Sequence, residues 1–454
     1  MITGLIKKAK SLICRRPSKP TASSMPSRTK APMVLTRQDH SISRKDISEN
    51  TLKVLYRLKK HGYQAYLVGG GVRDLLLNKH PKDFDVATNA LPEEIRKIFS
   101  NCRLIGRRFR LAHVHFGRDI IEVATFRKQV DHAHDEVAHS AAGMVLRDNV
   151  YGSIEEDAWR RDFTINALYY NIADFSVVDF TGGIQDLKDR KLRMIGDTAT
   201  RFREDPVRML RAIRFASKLD LSFSDELVAP MLASRSLITH VPPARLFEEV
   251  IKLFHSGAAY PAFEKLLEYG LFEALFPQTF ACLQDNSYPT KALLIDVFTN
   301  TDKRIREDKG VTPVFIIAAL LWHPILKLAQ KYMDDGMSLY SARLKAMEIC
   351  LSEQIKRISM PKRISFGARE IWMLQSRMQN RAGKRAERMM LEPRFRAAYD
   401  FLLVRSTAGE PIKELANWWQ VYMEAEPSER RNLVRKASGK PKKKKRKKED
   451  TEKK

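Results

Sequence analysis

The sequence predicts an α+β sheet domain followed by an all-helical remainder. Two observations carry this. Short β-type runs alternate with helical segments across residues 39–197, and from Thr198 to Glu429 the strand signals give way to helix-period runs punctuated by Pro and Gly. A third observation, the Lys-rich stretch at residues 430–454, predicts a disordered basic tail.

Taken in order, residues 1–38 read as a basic arm and linker. Ile2, Leu5, Ile6, Ala9, Leu12 and Ile13 recur at helical spacing among Lys7, Lys8, Lys10, Arg15 and Arg16. Three readings of this segment stay open: a disordered basic arm, an amphipathic helix on an anionic membrane surface, and an organelle transit peptide. Residues 14–38, with four prolines and four serines, read as linker. Ile47, Leu52, Val54, Leu55 and Leu58 then mark a helix stopped by His61-Gly62. The expected strands are AYLVGG, DFDVAT, CRLIG, LAHVHF, DIIEVATF, ALYYNI and SVVDF, with LPEEIRKIF as a helix whose Leu-Pro start suits a first turn. The helical part divides into a neck, residues 198–258, and a body, residues 259–429.

Hydrophobic content of 44% and charged content of 30% are ordinary for a globular protein, but the net charge of +27 is not. Residues 1–38 carry nine Lys/Arg and no acid, and residues 431–454 carry thirteen against three acids, so the intervening body is only moderately basic. Basic ends on a globular body predict a polyanionic partner. Cys14, Cys102, Cys282 and Cys350 are scattered without a CxxC pair, which predicts a reducing compartment and no structural zinc. No run is expected to span a membrane.

The chemistry concentrates in YLVGGGVRDLLLNKHPKDFDVATNA, Tyr66–Ala90. A buried strand, a turn at Gly69-Gly70-Gly71 and a following helix would let backbone N–H groups approach phosphate oxygens. The pattern is neither a GxGxxG fingerprint nor a P-loop. Asp83 and Asp85, spaced i and i+2, would share one face of a strand, where cations relieve their repulsion. The bland alternatives are a flexible turn and a solvated strand end.

Gly-Gly-Val-Arg-Asp followed by Asp-Phe-Asp resembles the signature of the polymerase-β superfamily of nucleotidyltransferases, in the branch of bacterial tRNA CCA-adding enzymes and poly(A) polymerases. EEDAWRRDFTINALYY (Glu155–Tyr170), EDPVRMLRAIRF (Glu204–Phe215) and PPARLFEE (Pro242–Glu249) match later motifs of that branch, in order, over about Arg37 to Trp419. The resemblance implies a polymerase-β-like head, ATP as substrate and two Mg²⁺ ions on Asp83 and Asp85. It implies nucleotide contacts from Gly70, Gly71, Arg73 and Arg161, and an active-site role for Asp162. Asn166, four residues beyond Asp162, would share its helical face and could reach a sugar hydroxyl. Glu122 is a further metal-side candidate; whether it or Asp162 is the third carboxylate stays open. Asp205, Arg208 and Arg211 would form one helical ridge reading a base edge, with Arg214 adding a nucleotide contact.

LIGRRFRLAHV (Leu104–Val114) and the basic tail favour poly(A) addition over CCA addition within that branch, with RNA contacts from Arg107, Arg108, Lys442, Lys443, Lys444, Lys445 and Arg446. So does HSISRKDISEN (His40–Asn50), which looks like the lead-in of bacterial poly(A) polymerases. The implied partners are RNA 3′ ends, in RNA turnover in a bacterial cytoplasm, with a peripheral inner-membrane contact through the N-terminal segment as a further reading. A CCA-adding enzyme and a non-catalytic RNA-binding protein are the alternatives. DHAHDEVAH (Asp131–His139) reads as a flexible loop rather than a metal cluster. His113 and His115 alternate on one strand face, but the family has no histidine metal site there. Trp372, Trp418 and Trp419 read as packing rather than as base-stacking platforms. KPKKKKRKK reads as an RNA-binding tail rather than a nuclear import signal.

Overall fold

The computed structural model describes residues 31–106, 110–128 and 150–437. The N-terminal segment through Lys30, Arg107 and Arg108, the DHAHDEVAH stretch, and Lys442, Lys443, Lys444, Lys445 and Arg446 lie outside the described residues. The chain forms two compact units. The first comprises the described residues up to Val241 with Glu264–Ala274, and the second comprises Pro242–Phe263 with the described residues from Leu275 onward. The expected neck is thus divided between the units at Val241–Pro242.

The first unit is built on an eight-stranded mixed sheet. Its strands are β1 (Met33–Leu35), β2 (Ala65–Val68), β3 (Asp85–Thr88), β4 (Cys102–Ile105), β5 (Leu111–Phe116), β6 (Asp119–Thr125), β7 (Leu168–Asn171) and β8 (Val177–Asp179), in the order β1-β8-β7-β2-β3-β6-β5-β4. Only the β3–β6 pair is parallel. The apolar alternation that marks these strands in the sequence points one face inward: Leu67, Val86, Val114 and Val123 are all fully buried. Helix α1 (Glu49–Lys60) covers the sheet with Val54, Leu55 and Leu58, and Ser48 caps it by accepting from the Thr51 N–H at 3.2 Å.

Further helices of this unit include α2 (Gly70–Leu76), α3 (Pro92–Ile98), α4 (Ile154–Trp159), α5 (Gly183–Lys188), α6 (Thr198–Glu204) and α7 (Val207–Leu219). Two strand features depart from expectation. β1 lies inside the stretch read as linker and pairs with β8, because Met33-Val34-Leu35 is an apolar run long enough to complete an edge. Ser222–Phe223, within the stretch read as all-helical, pairs in parallel with Lys191–Leu192. Asp220 allows this by ending α7 in the left-handed conformation, after which the Ser222 N–H donates to the Arg190 carbonyl at 2.9 Å.

The second unit is helical. Its helix Pro313–Asp334 is long and apolar enough to cross a membrane by length and composition, contrary to the expectation of no such run. It instead runs through the interior, with Ile317, Leu320, Leu321, Trp322 and Ile325 buried. The tryptophans also pack. Trp372 and Trp419 are fully buried, donating from Nε1 to the carbonyls of Ala318 (2.9 Å) and Met378 (3.0 Å). Trp418 stacks on Tyr422 at 4.8 Å.

One buried charge anchors this unit. Glu410 accepts from Arg405 at 2.6 and 3.0 Å and from Trp322 Nε1 at 2.9 Å, with His323 Nε2 at 3.4 Å. Arg405 also donates to Gln375 at 2.7 Å and lies over the Trp322 ring at 4.1 Å. Burial opposes the carboxylate's charge, but His323 and Arg405 bring its pKa down to about 2. Because that value is below the ordinary one, its stabilisation is complete above about pH 4.5 and is lost as pH falls towards 2. Glu410→Ala should therefore destabilise this unit by about 3–5 kcal/mol near neutral pH. Denaturant unfolding followed by tryptophan fluorescence should show that gap closing in acid.

Candidate active site

The register of the central strands assembles the site. Val68, the last residue of β2, pairs with Asp85, the first residue of β3. Gly69, which follows, has φ +73°, a conformation that favours glycine, and its N–H donates to the Leu168 carbonyl at 3.2 Å. The chain then enters α2. A Cβ on Gly71 would lie 3.3 Å from the Phe84 ring and 3.6 Å from the Asp83 carbonyl oxygen, so the glycine turn packs directly on the acidic segment. A Cβ on Gly70 would stand 3.5 Å from Arg73 Nη2.

Asp83 and Asp85 are not both in a strand, as the DFDVAT reading expected, because β3 starts at Asp85. The carboxylate placed beside Asp85 comes from the neighbouring strand: Asp85 and Glu122 are direct partners in the parallel β3–β6 pair. His113 pairs opposite Glu122, with Nε2 3.6 Å from Oε1. Crowding by protein, followed by the charge of Glu122 and, more weakly, of Asp83, pushes the Asp85 pKa up to about 6, with Arg161 opposing. Among the described residues, no three His, Cys, Asp or Glu side chains form a ready-made metal cluster.

Asp162 stands in a different environment. Its Oδ1 accepts from the Phe163 N–H at 2.8 Å and from Asn166 Nδ2 at 3.2 Å, and its Oδ2 accepts from Arg211 Nε at 2.7 Å and Nη2 at 2.5 Å. Burial opposes its charge, yet Arg211 and these hydrogen bonds hold it well below the usual carboxylate range. Asn166 meets Asp162 through a short 3-10 turn, Thr164–Asn166, rather than through an α-helix. Asn166 Oδ1 accepts from Arg73 Nη1 at 2.5 Å. A continuous chain, Arg73–Asn166–Asp162–Arg211, therefore ties α2 to α7.

Arg161 is fixed by a second set. Its Nη2 donates to Asp157 at 2.9 Å and its Nε to the Tyr169 hydroxyl at 2.9 Å, while that hydroxyl donates to Asp157 at 2.7 Å. Its Nη1 faces Gly69, where a Cβ would stand 3.6 Å away. Burial opposes the charge of Asp157, but Arg161 and Arg160 keep its pKa low. Arg201 of α6 donates to the carbonyls of Arg160 and Arg161, locking the Arg-Arg-Asp loop to the helical segment.

The expected ridge of Asp205, Arg208 and Arg211 is broken at its first member. Asp205 lies outside α7 in extended conformation, with Oδ1 accepting from the Val207 N–H at 3.2 Å. Arg208 turns back on the preceding helix, its Nη1 donating to Glu204 at 2.9 Å and to the Arg201 carbonyl at 2.7 Å. Arg211 and Arg214 follow along α7.

Phe215, Lys218 and Lys82 lie in or beside this basic cluster and were not singled out by the sequence reading. Arg214, Arg73 and Arg211 lie 4.4, 5.2 and 5.4 Å from the Phe215 ring centroid, so one aromatic ring gathers three guanidinium groups. Crowding by protein lowers the Lys218 pKa, with Arg73, Arg214 and Lys82 adding like charge and Asp74 opposing. The i, i+3 and i+7 spacing of Arg211, Arg214 and Lys218 was the available signal.

A family described as "Poly A polymerase head domain" matches residues 65–193. "Probable RNA and SrmB- binding site of polymerase A" matches 220–283, and "Polymerase A arginine-rich C-terminus" matches 335–453. Poly(A) polymerase I of Salmonella typhimurium strain LT2 is 50% identical over 408 residues, covering 88% of each chain. This chain belongs to the bacterial poly(A) polymerase family. The Haemophilus influenzae poly(A) polymerase I is 44% identical over 90% of this chain and 93% of its own. A CCA-adding enzyme of Bacillus licheniformis is a more distant relative, 36% identical over 51% of this chain and 56% of its own. The Bacillus stearothermophilus CCA-adding enzyme solved with CTP shares the fold, with TM-score 0.53 and 24% identity over 88% of this chain and 90% of that one.

The raised pKa of Asp85 gives a sign that can be checked without any substrate. The folded state binds its proton more tightly than the unfolded state does, so ionisation costs stability as pH rises from about 4 through about 6. In chelator-treated protein, Asp85→Asn should be at least as stable as the parent at pH 7.5. The advantage should be about 1 kcal/mol after allowance for solvent screening, and it should vanish near pH 4. Thermal unfolding of both proteins across that pH range checks it.

Proposed function

We propose that this chain is a template-independent poly(A) polymerase, adding AMP from ATP to RNA 3′-hydroxyl ends with release of pyrophosphate. The observation that carries the choice of product is the extent of the match: poly(A) polymerase I relatives align over nearly the whole chain, whereas the CCA-adding relative aligns over about half.

In this reading the triphosphate lies against Gly70 and Gly71, with Arg73 and Arg161 supplying positive charge. Arg73 is held by Asn166, and Arg161 by Asp157 and Tyr169, so neither has to reorganise when the anion arrives. Asp162 acts by positioning Arg211 and Asn166. Arg211, Arg214 and Lys218 line α7 towards the nucleotide, and the Asp205–Arg208 corner reads the base edge. The α-phosphorus takes the RNA 3′-oxygen, whose proton passes to water, the bond to the bridging oxygen breaks, and pyrophosphate leaves.

The donors suit magnesium. They are all oxygen, and Asp85 is destabilised as an anion by Glu122 and Asp83, a conflict that divalent charge would relieve. Magnesium completes its shell with water and substrate phosphate, so a set of one to three carboxylates is sufficient. Asp83 and Asp85 would hold two ions, with Glu122 as the third carboxylate. When bound there, the ions would lower the pKa of the 3′-hydroxyl and offset charge on the leaving group. Cys102, Cys282 and Cys350 are free thiols, in keeping with a reducing cytoplasm. The helical spacing of apolar residues and the basic flanks of the N-terminal segment support a peripheral contact with an anionic membrane surface.

Purified protein given RNA, Mg²⁺ and single nucleotides should lengthen RNA by many adenylates with ATP. Extension of trimmed tRNA that stops after C, C and A would establish CCA addition instead. Asp85→Ala and Glu122→Ala should each lower the rate by about 10³-fold or more, with RNA affinity retained. RNA binding without extension by the parent protein would leave a non-catalytic RNA-binding protein. Deleting Lys440–Lys454 should weaken RNA binding and flatten its salt dependence, with single-nucleotide addition little changed.

A further inference from the structure

The second unit contains a basic groove that the reaction above does not use. The start of the helix Leu339–Arg357, the end of Lys362–Met378 and the helix Arg385–Met390 enclose about 570 Å³, within the range of small-ligand sites. Arg343, Arg377, Arg385 and Arg388 line it, together with Ser376 and Asn380, and no Asp or Glu does. Met347, Met373 and Met389 supply an adaptable apolar floor. Arg343 donates to Ser376 Oγ at 2.8 Å, and Arg385 to Asn380 Oδ1 at 2.8 Å. Arg377 pairs with Glu392 at 2.7 Å, outside the lining. At the rim, Tyr340 is 65% exposed and Leu339 48% exposed.

Arg343 is half-buried and Arg377, Arg385 and Arg388 are exposed, so the groove presents its positive charge to solvent with no carboxylate in its lining. Here the surplus positive charge surrounds a cavity whose edge presents an aromatic ring to solvent. Phosphate and a flat base satisfy those two features together: guanidinium pairs bidentately with phosphate, and a base stacks on tyrosine. We propose that this groove binds single-stranded RNA, with one base on Tyr340 and backbone phosphates on Arg343, Arg385 and Arg388. The proposal extends the RNA-elongating function above by giving the helical unit a defined RNA subsite.

The test uses the full chain and a fluorescein-labelled oligoadenylate, with binding read by anisotropy over a range of salt. Tyr340→Ala should weaken binding roughly 5- to 100-fold. Arg385→Glu/Arg388→Glu should lower the slope of log affinity against log salt by about 1 to 1.5. In both variants KM for RNA should rise, while kcat at saturating RNA and KM for ATP stay at parent values. Lys362→Glu/Arg363→Glu, a reversal at exposed positions outside the groove, serves as the control. Affinity and salt slope within twofold of the parent in both groove variants would overturn the proposal, and so would an equal loss in the control. If the parent protein binds RNA but does not extend it, the enzymatic reading fails, and these binding measurements still decide the groove.

Discussion

The ion pair between Asp162 and Arg211 is the constraint on which the arrangement of the head unit depends. It joins a loop beside the sheet to a helix that starts about forty-five residues later, with Asp162 mostly shielded from solvent and Arg211 about one-third exposed. Removing either partner would strand a charge, so the pair is expensive to break even where it adds little net stability. Its second function is geometric. Through Asn166 it sets the rotamer of Arg73, and through Arg211 it fixes a guanidinium over Phe215. Arg73 and Arg211 would repel each other if they were only near neighbours. The carboxylate, the amide and the aromatic face between them make that concentration of positive charge tolerable.

This separates two kinds of acidic residue in one small region. Asp157 is buried and Asp162 half-buried; both have arginine partners and are held strongly ionised. Asp85 reaches solvent, faces Glu122 and Asp83, and is pushed in the opposite direction. In the first pattern the fold itself supplies the compensating positive charge. The second stores an unfavourable interaction that the fold does not resolve by itself. A solvated strand end does not need a glutamate registered beside an aspartate on parallel strands. The unresolved repulsion is therefore the stronger argument for a cation-dependent site than the presence of two aspartates in one tripeptide.

Much of the head was legible in the sequence because its strands alternate in hydrophobicity and its glycines precede a helix. What escaped were features set by pairing partners. Met33–Leu35 and Ser222–Phe223 are too short to signal a strand alone, and each exists because another strand has an open edge. Spacing could not place Glu122 beside Asp85, because that neighbourhood is set by the β3–β6 register. The i, i+2 argument for Asp83 and Asp85 assumed a strand through both, yet the strand begins at the second. Asp205 was read as helical because its spacing to Arg208 fits a helix, but Pro206 forces the residue before it out of helical conformation. In the helical unit, burial of Trp372 and Trp419 followed from their apolar surroundings, whereas the arginine groove became visible only when three helices came together.

Pro206 also bears on how a protein without a template could select a base. A helical Asp205 would sit on the same solvent-facing ridge as Arg208, and both would be long-range charges with freedom to move. Instead the chain turns at Pro206, and the Asp205 carboxylate is fixed by the Val207 N–H. Among the described residues, the contacts of Arg208 to Glu204 and to the Arg201 carbonyl both run through Nη1. Those contacts set the plane of the guanidinium while Nε and Nη2 retain donors. Adenine's Watson–Crick edge pairs an acceptor with an amino donor, which matches a guanidinium N–H next to a carboxylate oxygen. In the proposed reading, selectivity would then arise from a corner whose donors are oriented before the nucleotide arrives. The same contacts to Glu204 and Arg201 would penalise any base that required Arg208 to rotate.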